Sequence, residues 1–224
     1  IKMNLKNGPL KVFFCDLTHD TIILVSDTIP INIGFIASYA KKILKDEISV
    51  KLFKYPINAI ESIKKEKPDL ICLSNYSWNS LLSEHISSVA KKVNPDCITA
   101  QGGPNFPHDD EQQKIFMRQR PSTDIFMIME GEITTTNIIK RIIECNKDKK
   151  KILSKTIDGA AFILPSSLNN KNIELIKGIK SQRIKNLDDI PSPYLNGMLD
   201  HFFDGRLIPF IETNRGCPFK CSFC

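Results

Sequence analysis

Cys217, Cys221 and Cys224, in the stretch NRGCPFKCSFC, follow the spacing C-x3-C-x2-C. Soft thiolates so placed can wrap a single metal centre from one loop. Iron–sulfur clusters are usually held by four cysteines. Three leave one iron open, as catalytic metals keep a free position. A zinc site would need a further ligand, and His201 lies well upstream. Gly216, Pro218, Lys220 and Ser222 make the stretch a loop, which argues against three cysteines gathered merely in a core. The remaining four of the seven cysteines, Cys15, Cys72, Cys97 and Cys145, are scattered. The first residues lack the apolar core of a signal peptide, so all seven are expected as reduced thiols in a cytoplasmic protein.

A loop of this kind must be positioned by what precedes it. Apolar runs at 10–16, 49–54, 70–74, 97–100 and 125–129 predict strands, and helical periodicity alternates with them. Ile33, Ile36, Ala37, Ala40, Ile43 and Leu44 mark the inner face of a first helix. A second is expected over 57–66, stopped by Pro68. Leu82, His85, Ile86, Val89, Ala90 and Val93 mark a third, with His85 read as a satisfied core residue. A fourth is expected over 111–119, and a fifth over 134–144 with Ile138, Ile139, Ile142 and Ile143 inward. The order implies an α/β fold: a Rossmann-like, doubly wound, mostly parallel sheet with helices on both faces. Residues 158–164 read as an extra edge strand or hairpin. The segment 187–194 is punctuated by prolines and reads as a linker, and Leu207–Thr213 as a new strand that delivers the chain to the cysteines.

Such sheets bind ligands outside the carboxyl ends of their strands. Those ends carry Asp16 and His19, then Ser74, Asn75, Tyr76 and Trp78, then Gly102, Gly103 and Pro104, then Glu130, Gly131 and Glu132. Four polar or glycine-rich loops on one edge suit a large ligand bearing amides and hydroxyls. Glycines let such a ligand approach the backbone, and a helix start after Glu130 offers free N–H groups. Structural alternatives are a tight turn at Gly102-Gly103, and helix-dipole complementation by Glu130 and Glu132.

The 224 residues are 42% hydrophobic and 25% charged, with a formal net charge of +6. No apolar run is long enough to span a membrane. The lysines are spread, and the densest run, Lys147 to Lys151, lacks interleaved aromatics. It reads as a solvated loop and not as a nucleic-acid contact.

The cysteine loop, with an aromatic just before its last cysteine and Arg-Gly before its first, resembles the radical S-adenosylmethionine (SAM) superfamily. The resemblance implies that Cys217, Cys221 and Cys224 hold a 4Fe-4S cluster, that SAM chelates the fourth iron, and that Phe223 lies near the adenine. Reductive cleavage of SAM then gives a deoxyadenosyl radical. A flavodoxin or ferredoxin is the kind of reductant implied. The upstream part resembles the cobalamin-binding domain of the cobalamin-dependent branch. The matching features are Pro30-x3-Gly34-x2-Ala37, Pro68-Asp69 with the strand end at Ser74, Gly102-Gly103-Pro104, and Glu130-Gly131-Glu132 followed by Thr134. Ile190-Pro-Ser-Pro-Tyr194 resembles the bridge to a barrel.

On this resemblance, residues 8–146 form a cobalamin domain, 147–204 an edge hairpin and linker, and 205–224 the first strand and cluster loop of a radical SAM α/β barrel. The chain then reads as truncated, because a barrel needs roughly 200 residues more. It also lacks an initial Met, which reads as a clipped start or an unusual start codon. The implied activity is methyl transfer or rearrangement at an unactivated carbon of an unknown substrate, by a whole protein of which this fragment alone would be inactive. Many cobalamin domains supply a cobalt-ligating histidine from Asp-x-His-x-x-Gly. Here the loop is Asp16-Leu-Thr-His19-Asp20-Thr21, so cobalamin is expected to bind without one. Two alternatives remain. One is a radical SAM enzyme with a vestigial upstream domain, or with a second cluster on Cys15, Cys72 and Cys97 as in methylthiotransferases. The other is a non-catalytic cobalamin carrier or sensor.

Overall fold

In a computed structural model of the chain, residues 8–20, 26–167, 173–216 and 219 are described. Five parallel strands run β1 (Leu10–Cys15), β2 (Ile48–Phe53), β3 (Leu70–Ser74), β4 (Ile98–Gly102) and β5 (Ile125–Met127). Two antiparallel strands, β6 (Ala160–Ile163) and β7 (Leu175–Lys177), extend the same sheet. The order is β2-β1-β3-β4-β5-β6-β7. The chain steps from β1 to one side and then back to the other, so the order reverses between β1 and β3. That reversal opens a crevice at the strand carboxyl ends. Register brings those ends level: Cys15 pairs with Phe53 and Leu73, Ser74 with Gly102, and Gly102 with Met127.

The helices are α1 (Ile31–Leu44), α2 (Pro56–Glu66), α3 (Ser80–Val93), α4 (Asp110–Arg118), α5 (Gly131–Glu144) and the short α6 (Lys149–Ile152). Alternation along each strand sends successive side chains to opposite faces. Val12 and Phe14 of β1 join Cys72 and the isoleucines of α5 under α1 and α5. Phe13 and Cys15 join Ile71, Ala59 and Ile86 under α2 and α3. Phe106, Met117 and Phe126 pack beneath α4. Wholly buried Phe14, Phe126 and Phe162 each contribute on the order of 1.5–3 kcal/mol by leaving water.

Several expectations are corrected. His85 is exposed, because α3 turns Ser83, Ile86, Ser87 and Ala90 to the sheet. Small serines allow close approach, and their hydroxyls are satisfied by the carbonyls of Ser74 and Ser83. Ile43 is 41% exposed, off the buried stripe of α1. The Lys147–Lys151 run is not a free loop. It contains α6, and Lys147 and Lys149 pair with Asp69 and Asp124. Leu207–Thr213 is not a strand: only Ile208 finds a ladder neighbour, Thr28. A strand exists through partners for its N–H and C=O groups; among the described residues the rest of this arm has side chains in their place, the Asp204 carboxylate at Leu207 and the Tyr194 hydroxyl at Phe210.

The linker is part of the fold. Ile190, Leu199 and Phe202 are buried, and Leu199 and Phe202 belong to the α1–α5 core. Gly34 is explained here: a Cβ on it would lie 2.9 Å from Pro193 Cβ. Gly34 therefore admits the linker against α1, and it lines none of the crevice cavities.

Candidate functional site

The crevice begins with a polar lattice that fixes the strand ends. Asp16 is almost buried, and both its oxygens are used. Ser74 donates to one at 2.5 Å, and the Lys54 ammonium, wholly buried, meets the other at 3.0 Å. Lys54 also reaches Ser26 at 3.2 Å. The Ser74 hydroxyl accepts from Asn79 Nδ2 at 2.9 Å. Asn75 is bonded to Gln101 and accepts from Asn105 at 2.9 Å. Three proposed ligand contacts, Asp16, Ser74 and Asn75, thus spend their polar groups on each other's strands. They make a rigid floor beneath a ligand.

Above this floor lies an inner cavity of about 120 Å³, walled by Phe14, Ile33, Cys72, Gly102, Met127 and Thr135. An outer cavity of about 550 Å³ adjoins it, walled by Asn32, Phe35, Glu130, Glu132 and the arm 210–215. Asn32, Ile36, Tyr76 and Gly131 line both. Gly103, at φ +144°, would place a Cβ 2.4 Å from the Asn75 carbonyl oxygen. No other residue fits there, and the bare backbone leaves the inner cavity open. Gly131 lets α5 cross α1, since a Cβ would meet Ile36 Cδ1 at 2.5 Å.

Two hydroxyls in this cavity have capacity to spare. Thr135 donates only to the Met127 sulfur, a weak acceptor, at 3.2 Å. Tyr76 accepts from Asn32 at 3.4 Å, and burial raises its phenol above the usual range, so it stays a neutral donor. Its ring stacks on Trp78, centroids 4.6 Å apart, with Trp78 half exposed at the rim. His19 is exposed, and its Nε2 lies 3.0 Å from the Trp78 carbonyl oxygen.

Each of the acidic pair holds an arginine. Glu130 meets Arg183 at 2.7 Å, and Glu132, 3% exposed, meets Arg215 at 2.8 Å. Glu212 also grips Arg215, and the two carboxylates hold the guanidinium above its usual range. Thr134 faces away from the cavity and bonds Ser181 at 3.0 Å. Pro104 belongs to a separate cavity beside α4.

The structure thus brings Ser74, Tyr76, Gly102, Gly103, Glu130, Gly131 and Glu132 together, with Trp78 at their edge. It leaves Gly34, Pro104 and Thr134 outside, and Asp16 beneath. Cys217, Cys221, Cys224 and Phe223 lie outside the described residues. Asn32, Ile36 and Thr135 were missed. The available signal was the four-residue step from Asn32 to Ile36 at a helix start that faces the reversal point. Thr135 differs from Thr134 only in its rotation around α5.

The residues suit a flat ring system with a polar rim: a glycine-bounded slot, apolar walls, two neutral hydroxyls and a wider vestibule. A second cluster on Cys15, Cys72 and Cys97 does not suit them. Cys72 lies on one sheet face and the other two on the opposite face. Among the described residues no three metal-ligating side chains gather, and no helix is long and apolar enough to cross a membrane.

No protein-family profile matches the chain. It is 26% identical over 208 residues to the cobalamin-dependent radical SAM methyltransferase TokK of Streptomyces tokunonensis. That match covers 88% of this chain and 28% of the relative. It is 24% identical over 207 residues to the 2-(S-pantetheinyl)-carbapenam-3-carboxylate methyltransferase of Streptantibioticus cattleyicolor, again 88% of this chain and 28% of the relative. A solved structure of the cobalamin-dependent S-adenosylmethionine radical enzyme OxsB, with aqua-cobalamin and S-adenosylmethionine bound, superposes with a TM-score of 0.66 at 19% identity. It covers 96% of this chain and 28% of that one, and this likeness speaks to fold. The chain thus spans little more than a quarter of the proteins it matches. The chain is thus similar in sequence to a cobalamin-dependent radical SAM methyltransferase, and over the stretch it spans it shares the α/β fold of a cobalamin-dependent S-adenosylmethionine radical enzyme.

Proposed function

We propose that this chain is the cobalamin-holding part of a cobalamin-dependent radical SAM enzyme. The observation that carries the reading is the glycine-bounded double cavity at the point where strand order reverses. Residues 8–146 build the inner cavity and, with the arm 210–215, the outer one. Residues 147–204 extend the sheet and cover α1, and 205–216 lead to Cys217. The inner cavity would take the ring of the cofactor's nucleotide tail, with Thr135 and Tyr76 as donors. The outer cavity would take the corrin edge. Bound cobalamin supplies a methyl carrier. His19, turned to the Trp78 carbonyl, would leave cobalt without a histidine.

In the same reading Cys217, Cys221 and Cys224 hold a 4Fe-4S cluster that binds SAM, with Phe223 near the adenine. A small reductant such as flavodoxin or ferredoxin supplies electrons. The whole enzyme transfers a methyl group to, or rearranges, an unactivated carbon. The kind of the relatives supports this, and the substrate contacts belong to parts these residues do not contain. The carrier-only alternative gains nothing from the arm, which a carrier does not need.

The test is an anaerobic titration of the chain with hydroxocobalamin, then desalting and a visible spectrum. Retained corrin, about one per chain, without the bands of a histidine-ligated cobalt, is the expected result. Gly102→Val should abolish retention while circular dichroism is unchanged, because Gly102 lines the inner cavity and an added Cβ would sit 3.0 Å from Met127 Cε and 3.2 Å from its Cβ, contacts that a small shift relieves at the cost of cavity space. A folded chain that retains no corrin would sink the proposal.

A further inference from the structure

Glu130 and Glu132 flank Gly131 at the mouth of the outer cavity, and each holds an arginine. Arg215 immediately precedes Gly216-Cys217, and its guanidinium is shared between Glu132 of α5 and Glu212 of its own arm. It also lies 5.8 Å over the Phe35 ring of α1. Arg183, held by Glu130, stands beside Gly216, where an added Cβ would sit 3.3 Å from its terminal nitrogen. The arm is tied further back as well. Ile208 N–H donates to the Asp27 carbonyl at 2.7 Å, and the Tyr194 hydroxyl donates to the Phe210 carbonyl at 2.7 Å.

We infer that Glu130 and Glu132 are positioning residues: through Arg183 and Arg215 they clamp the segment that enters the cysteine loop to the amino end of α5, the helix that walls the proposed cobalamin cavity. The inference rests on the reading of that cavity and of the three cysteines as cofactor sites. It assigns a purpose to two features otherwise unexplained. A carboxylate as buried as Glu132 needs a cationic partner, and the partner comes from the one segment whose position matters to the next cofactor. Two arginines against three carboxylates leave the mouth without strong positive charge, and the planar guanidinium of Arg215 fixes direction as well as distance. A lysine could do neither as well.

The test uses the full chain carrying Glu132→Gln, Arg215→Gln, both together, or Arg215→Lys, with hydrogen exchange read peptide by peptide. The arm peptide spanning 205–216 should exchange about tenfold faster or more in either Gln variant, as expected for the loss of charge-assisted bonds. The double variant should add little, Arg215→Lys should recover part of the protection, and peptides over β3 and β4 should be unchanged. Should Glu132→Gln fail to fold, Arg215→Gln carries the test. In chain loaded with cob(II)alamin and a reconstituted, reduced cluster, the magnetic coupling between the two centres should report one distance in the parent and a spread in the variants. Unchanged arm exchange in a folded Glu132→Gln or Arg215→Gln overturns the clamp, and so does an unspread distance. If the parent itself retains no corrin, the cobalamin reading falls first, and the clamp stands or falls on the exchange data alone.

Discussion

Cys15, Cys72 and Cys97 show how burial decides what a side chain can do. Burial pushes all three thiols up, Cys97 to about 12 and the other two also well above the ordinary range. Reactivity follows the thiolate, so at pH 8 a disulfide reagent should leave these three untouched in the native chain and label them after urea. Prompt native labelling of Cys72 would contradict the burial. The same shifts bear on stability. A group whose folded pKa is raised contributes fully below its unfolded pKa, and that contribution is lost as pH rises. From about pH 9 upward, through 12 for Cys97, the unfolded chain releases protons that the native one keeps, so these thiols make the fold weaker in alkali. Lys91, held below the usual lysine range by burial, works in the opposite sense. The readout is therefore the difference in slope of urea midpoint against pH between parent and Cys72→Ala, which should be the flatter. Equal slopes would show that Cys72 does not titrate across unfolding. At this scale the sequence was informative about residue type and poor about orientation. It marked Tyr76, Gly103 and Glu132, but nothing in it separates Thr134 from Thr135, or tells that Ser74 serves Asp16.

Elements meet at glycines, and two of these differ in kind. At Gly103 an alanine Cβ would strike the Asn75 carbonyl oxygen, at a φ that side chains avoid. Neither that oxygen nor the Asn105 and Gly102 groups bonded around it can move without breaking the β3–β4 junction. Gly103→Ala should cost about 2–4 kcal/mol. At Gly131 the obstacle is the far methyl of Ile36, which can swing, and alanine gains helix propensity. Gly131→Ala should fall within about 1 kcal/mol of the parent. Urea unfolding of the two variants gives the comparison, and equal destabilisation would refute the distinction between backbone and side-chain obstacles. The strand–helix alternation was legible because β1, β3 and β5 are buried almost throughout and read as apolar runs, while β2, at the sheet edge, alternates apolar residues with Ser49 and Lys51. The face of α3 was not, since its inward residues are largely serines, which carry no hydrophobic period. The arm was misread for a related reason: Leu207 to Ile211 is apolar enough for a strand, but composition does not say whether a partner strand is there.

For the whole molecule, the question is where the cavity-bearing unit stops. Sequence punctuation puts a boundary near 146 and a linker through 204, yet the β6–β7 hairpin completes the sheet and the proline-rich stretch returns to α1. Pro193 seats on Gly34, Asn196 donates to Ser38 at 2.9 Å, and Leu199, Phe202 and Leu207 are buried in the same core as α1 and α5. His201 caps the Leu52 carbonyl of β2, the outermost strand of the sheet. Each apolar side chain so buried is worth about 1.5–3 kcal/mol, and three together rival the whole stability of an ordinary domain. A chain ending at Asn186 should therefore unfold at markedly lower urea than the parent, or fail to stay soluble, although it keeps every strand and all six helices. A triple variant Leu199→Ala, Phe202→Ala, Leu207→Ala in the full chain should reproduce most of that loss. Were the shortened chain to match the parent's urea midpoint, the linker would be a passenger on the surface. The outer cavity, part of whose wall is the arm that this linker carries back, would then have to keep its shape without it.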